Sequence, residues 1–431
     1  MDSDNRFPTP TMLWQVLLSV AGLLLIGSVL FQGWAVNGTQ SVCIADEGID
    51  MTNEATLNVA CNLARDNNEF ACDLHRELAA STGGNLTCSP YSVSVALAMV
   101  HAGAVGNSRD EITETMHFKL DGPELYEAFA CQSKLIDEQA GGVLANSAWV
   151  DESFALEAEY ERLIKGTFES ELATVDFDQV SQAIDRINGW TRETTNDRIK
   201  EIVTESEVKS TTVLVLVNCI DLDMQWDVKF ADRQAGYQFT LADGTQVPVE
   251  LMRRKSKCGY TYTDEYTAVR LGFKAGDSRE MIVIVPNEHD GLAGLEAGLD
   301  AGFLAGLNEE FYPREVEAYL PPLAMESRHD LIPALKALGI NDIFGMQADL
   351  SGISVSEGRE IFVSAVVQQA LTEVDEEGVK ASAATAVSVS RKSAPQPPAK
   401  LVADRPFMFI VQDSRTGAAL FMGRVADPSA L

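Results

Sequence analysis

The chain has 431 residues, 46% of them hydrophobic, enough to bury one large core or two small ones. Its 64 acidic residues outnumber 33 basic ones, and the formal net charge of −31 opposes binding to nucleic acid and to anionic membrane surfaces. Seven cysteines (Cys43, Cys61, Cys72, Cys88, Cys131, Cys219 and Cys258) form no CxxC pair and no zinc-like spacing with the five histidines, which gives no support to a metal site.

From the N-terminus, Met12 to Phe31 is an uncharged, largely apolar run long enough to cross a bilayer as a helix. Arg6 before it and Asp46, Glu47 and Asp50 after it keep the N-terminus inside and export the rest. The run reads as an uncleaved anchor, with a long signal peptide as the alternative. Residues 1–35 are assigned to this segment, 36–56 to a polar stalk and 57–431 to one folded domain. Cys43, Cys61 and Cys72 lie nearest the stalk and could include a disulfide; Cys88 and Cys219 sit in or beside apolar runs and read as buried hydrophobes.

Helical spacing of Leu63, Phe70, Leu74 and Leu78 predicts a helix over Leu57 to Ala80, and a second, nearly all-apolar helix is predicted over Val93 to Ala104. Val143 to Val150, Thr212 to Ile220, Met281 to Val285 and Phe407 to Val411 read as buried strands. Arg253, Arg254, Lys255 and Lys257 form the only dense basic cluster and read as a solvated turn. Gly291 to Gly306 reads as a loose surface helix. Helices and strands are mixed without a βαβ repeat, so the fold class expected is α+β. No GxSxG, HExxH, Walker loop or GxGxxG occurs, and His75, His101, His117, His289 and His329 are scattered singly; nothing argues for an enzyme.

The most informative stretch is TEVDEEGVKASAATAVSVSRKSAPQPPAK, Thr372 to Lys400. After Gly378, residues Val379, Ala381, Ala383, Thr385, Val387 and Val389 alternate with Lys380 and small residues, the two-face pattern of a strand. Yet it runs into Arg391-Lys392-Ser393 and then Pro395, Pro397 and Pro398, which cannot join a central ladder. The segment suits both an exposed loop and a strand, with an ordinary Ala/Ser linker as the alternative.

Glu376, Glu377 and Gly378 followed by small residues resemble the reactive-loop hinge of the serpin family. Three further motifs fall in the family's order. Asn85 to Ile112, with Ser89, Pro90 and Ser92, resembles the SPxS strand-to-helix junction, and Thr211 to Trp226 resembles the central strand ending in a tryptophan, with Asn218 in register. Asp404 to Pro428 is similar to the closing signature. The resemblance implies a large central mostly antiparallel sheet, smaller sheets, eight or nine helices and an exposed reactive loop at about 376–400.

It also implies irreversible suicide inhibition of a trypsin-like serine protease outside the cytoplasm, with no cofactor, by a monomer. Counting in the family's way puts the bait bond after Lys392, the fourteenth residue beyond Gly378, at Lys392-Ser393, with Arg391 as the nearest rival. Ser89, Ser92, Asn218, Trp226 and Gln368 are implied in opening the sheet. Gln368 stands where the family often has histidine and could hydrogen-bond Ser89, Ser92 or Asn218. A non-inhibitory binding or chaperone module of the same fold is the rival expectation.

Overall fold

The computed structural model describes residues 54–137, 143–221, 225–274, 276–354, 361–377 and 397–431, and every structural statement below concerns these. The first helix, α1 (Glu54–Ser81), is followed by β1 (Leu86–Cys88) and α2 (Pro90–Gly103). Pro90 at the first turn and the Ser89 side chain, which accepts the Ser92 N–H, start α2 firmly. Apolar around most of its circumference, α2 is buried along nearly its whole length, as such a helix must be. Then come α3 (Asn107–Thr115), α4 (Gly122–Asp137), β2 (Val143–Asp151), α5 (Ala158–Gly166), β3 (Glu171–Val175), α6 (Val180–Thr194) and β4 (Leu214–Asp221).

The second half is strand-rich: β5 (Ala231–Thr240), β6 (Gln246–Tyr262), β7 (Tyr266–Gly272), β8 (Arg279–Pro286), α7 (Leu292–Ala297), α8 (Ala301–Glu310), β9 (Tyr312–Leu320), β10 (Leu323–Asp330), α9 (Ile332–Leu338), β11 (Val363–Val374), β12 (Ala399–Val402), β13 (Phe407–Asp413) and β14 (Ala419–Val425). A nine-stranded sheet runs β1-β14-β13-β8-β7-β6-β9-β12, with β5 on β6. A five-stranded sheet runs β10-β11-β4-β2-β3. Antiparallel pairs dominate; the parallel ones are β11/β4, β2/β3 and β12/β9.

β4 explains its own sequence. A continuous apolar run is buried on both faces of its sheet: Leu214, Leu216 and Ile220 join the main core, which includes α2, while Val215, Val217 and Cys219 join a second core under α6. That second core also takes Ile199, Ile202, Val203 and Val208 from the strap between α6 and β4, and Ala365 and Val367 from β11. The strap and α6 therefore cover β4 and β11 together.

Two local expectations are corrected. The basic cluster is not a turn: Arg253, Arg254, Lys255 and Lys257 lie within β6, and Arg254 is buried. The segment from Gly291 to Gly306 forms two short helices, and Glu296 within it is buried against Arg424 (2.8 Å) and His75 (3.1 Å) rather than on a loose surface. Cys61 and Cys72 are free thiols, as are buried Cys88 and Cys219, whereas Cys131 is disulfide-bonded. Met12 to Phe31 and Cys43 lie outside the described residues; among those described, no helix is long and apolar enough to cross a membrane.

Candidate functional site: the seam between β11 and β4 and its exit

β11 and β4 are parallel neighbours, from Val363 beside Leu214 to Leu371 beside Asp221. A strand that reversed after β11 and returned between them would run antiparallel to both, exchanging one parallel ladder for two antiparallel ones, which are slightly the more stable per residue. The residues singled out from the sequence fall at two places along this seam.

Halfway along it, Gln368 and Asn218 are register partners. The Gln368 amide closes a two-bond ring on the Ser89 backbone: Nε2 donates to the Ser89 carbonyl at 2.9 Å and Oε1 accepts the Ser89 N–H at 2.9 Å. Nε2 also donates to Asn218 Oδ1 at 2.6 Å. Asn218 Nδ2 in turn donates to Ser92 Oγ and Asn146 Oδ1, and Ser92 Oγ donates to Asn146 at 3.3 Å. Ser89 Oγ donates to the Leu420 carbonyl at 2.6 Å, tying the network to β14. All five side chains are buried, so an apolar interior makes each bond costly to lose. Ser89, Ser92, Asn218 and Gln368 are thus one network beneath the seam, and it bridges α2 to β4, β11 and β2. Asn146 belongs to it and escaped the sequence reading, because nothing local in β2 marks it.

At the seam's end, Trp226 stacks on Phe273 with centroids 4.8 Å apart and meets Phe230 edge-on at 5.4 Å. Its indole Nε1 donates to the Asp375 carbonyl at 3.0 Å. The Trp226 and Phe230 N–H groups donate to the Glu377 and Glu376 carbonyls at 3.4 and 2.9 Å. Arg233 Nε reaches Glu376 at 2.7 Å, and Lys229 reaches Glu377 at 3.3 Å. Partial burial raises the Glu376 carboxyl, but the Arg233 hydrogen bond, a backbone hydrogen bond and the Arg233 charge together outweigh it, and the pKa lies below the ordinary range. Beneath the indole, buried Arg254 lies 5.7 Å from the ring centroid and bonds Asp227 at 2.6 Å, a cation–π and ion-pair support from β6. The exit of β11 is therefore clasped by backbone, charge and aromatic contacts together. Phe230, Arg233, Phe273 and Arg254 carry no sequence signal for this role, since the fold alone brings them to Trp226.

Gly378, Val379, Ala381, Ala383, Thr385, Arg391, Lys392 and Ser393 lie outside the described residues. The chain is described again from Pro397, just before β12. Among the described residues no group of His, Cys, Asp and Glu could hold a metal ion.

Together these features define an α+β protein whose central sheet carries a parallel seam with a buried polar lock below it and a clasped exit at its end. A family model described as "Serpin (serine protease inhibitor)" matches residues 65–428, and the chain belongs to that family. It is 33% identical to Iripin-3 of Ixodes ricinus over 81% of this chain and 90% of that protein, and 33% identical to the leukocyte elastase inhibitor of Sus scrofa over 85% and 99%. Among solved structures, native protease nexin-1 with heparin (25% identity, TM-score 0.76) is matched over 86% of this chain and 100% of that one. Uncleaved ovalbumin (27% identity, TM-score 0.76) is matched over 85% and 100%. The family is one of protease inhibitors, not catalysts.

Proposed function

We propose that the protein is an irreversible suicide-substrate inhibitor of a trypsin-like serine protease outside the cytoplasm, held to a membrane by Met12 to Phe31 or secreted. The observation that carries this reading is the clasped exit of β11 beside its parallel neighbour β4. The protease attacks the bond after Lys392, or after Arg391, and forms an acyl-enzyme through its own serine. The basic bait side chain meets the acidic specificity pocket of such an enzyme. The freed hinge, Glu376, Glu377 and Gly378, lets Val379, Ala381, Ala383 and Thr385 pass into the seam as the inward face of a new strand. Each new ladder bond contributes about 0.5–1.5 kcal/mol net, and roughly a dozen of them outweigh the clasp that must open.

Incubation with trypsin tests this. The wild-type chain should give a covalent, SDS-resistant band at the combined mass of inhibitor and protease. The R391A/K392A variant should give none, because the pocket carboxylate loses its partner. Full cleavage of wild type without that band would leave the non-inhibitory binding module in its place.

A further inference from the structure

The basic run that reads as a turn in the sequence is the outer face of a sheet. Along β6, Arg253, Lys255 and Lys257 point outward while Arg254 points into the core. The neighbouring strands continue the same face. Glu317 of β9 stands between Lys255 of β6 and Lys400 of β12 in one cross-strand row, and Lys257 stands beside Glu315 in the next. Arg253 pairs with Glu317 at 2.8 Å and Lys255 with Glu315 at 3.1 Å. Among the described residues, Lys257 and Lys400, both exposed, have no ion-pair partner. Tyr319, in contact with Tyr237 at 5.9 Å, lies beside Arg253 in the adjoining row.

This face holds four cations to two carboxylates, in a chain whose overall ratio is 33 to 64 the other way. Local ion pairing does not explain the surplus, because the two lysines left over face solvent. The position of the face does. Lys400 is seven residues beyond Ser393, a span of at most about 25 Å. A protease domain of about 220 residues is roughly 45 Å across, so one centred on the bait extends about 22 Å and comes within a few ångströms of Lys400 even with the intervening segment fully extended. A protein engaged at the bait would reach this face.

We propose that the outer face of β6, β9 and β12, through Lys255, Lys257 and Lys400, is an auxiliary docking surface for an acidic patch on the protease attacking the loop. The inference rests on the proposed function for the identity of the partner. The interleaved Glu315 and Glu317 suit a protein surface of mixed charge better than a uniform polyanion, which they would repel. The two pairs at Arg253 and Lys255 hold the rows in place, and the free lysines supply attraction that acts mainly on the rate of encounter.

The test compares anionic and cationic trypsin acting on the intact protein and on a K255Q/K257Q/K400Q variant across a salt series. The rate read is attack on the loop, counted as trapped plus cleaved inhibitor, so a chain that is cut without trapping still reports docking. At low salt the variant should lose about tenfold in rate against anionic trypsin and less than twofold against cationic trypsin, and the gap should close by about 0.5 M NaCl. The trapped fraction should stay unchanged, since no bait or hinge residue is altered. Equal losses against both isoforms, or no loss against either, would overturn the proposal. So would binding of heparin that disappears in the variant without isoform discrimination, which would assign the face to a polyanion.

Discussion

At the scale of single residues, Gln368 shows how much depends on one amide. It satisfies the Ser89 N–H, the Ser89 carbonyl and Asn218 Oδ1 at once, all in a buried site. Truncation leaves the Ser89 N–H and Asn218 Oδ1 without partners, while the Ser89 carbonyl keeps only the Val93 N–H at 3.3 Å, and each buried orphan costs about 1–3 kcal/mol. Gln368→Ala should therefore lower stability by at least about 2 kcal/mol in urea unfolding, with a greater loss than truncation of exposed Lys257. The contacts of Gln368 were legible in the sequence because resemblance located it opposite Ser89 and Asn218. Asn146 and Arg254 were not, because their partners, Ser92 and Asn218 for the first and Asp227 and Trp226 for the second, are distant in the chain and only the fold brings them together. The buried Glu296 is the same kind of case: its neighbours His75 and Arg424 are 221 and 128 residues away in the chain.

At the scale of elements, the strap between α6 and β4 matters most, because it crosses the seam. Asn188 of α6 holds it through Ile202 and Val203. On the far side, Arg328 of β10 donates to the Ile202 carbonyl at 3.1 and 3.0 Å and pairs with Glu207 at 2.9 Å, and Arg198 pairs with Glu373 of β11 at 2.9 Å. Any strand entering the seam has to lift these staples. Partial burial raises the Glu207 pKa, but hydrogen bonds from Ser206, Thr204 and Arg328 bring it down from an ordinary 4.5 to about 2. A carboxyl depressed in the folded state stabilises above its unfolded pKa, and that stability is lost as pH falls through the folded one. The window is therefore pH 4.5 down to about 2. In melts across that range, Glu207→Gln should show a flatter loss of thermal stability than wild type; parallel curves would mean that the staple is not electrostatic. β4, beneath the strap, and β8, in the other sheet, were legible because both are continuous apolar runs. β6 was hidden because its charges suit a turn locally, and they fit a strand only opposite Glu315 and Glu317, more than fifty residues on.

At the scale of the whole molecule, the proposed entry of the loop into the parallel seam requires that the intact chain is not at its most stable arrangement. Cleavage at the bait should raise the melting temperature of wild type well above that of the intact protein. Ala383→Arg places a charge on the inward face of the entering strand, where an unpaired buried charge costs several kcal/mol. That variant should still be cut by trypsin, should behave as a substrate rather than a trap, and should gain much less on cleavage in a thermal melt. An unchanged wild-type melting temperature after cleavage would rule out strand entry.

Trp226 gives the molecule an optical readout of its own. Its indole is stacked on Phe273 and hydrogen-bonded to Asp375 at the point where β11 ends, so its emission senses the clasp directly. A second pair, Trp149 of β2 and Trp190 of α6, sits 6.1 Å apart between the sheet and the covering helix, where it senses the cover. With one fluorophore retained at a time, stopped-flow traces would time the two events separately. Opening at the clasp before movement of the helix would mean that the strand starts to enter and lifts the cover as it advances. The reverse order would mean that spontaneous breathing of the cover sets the pace.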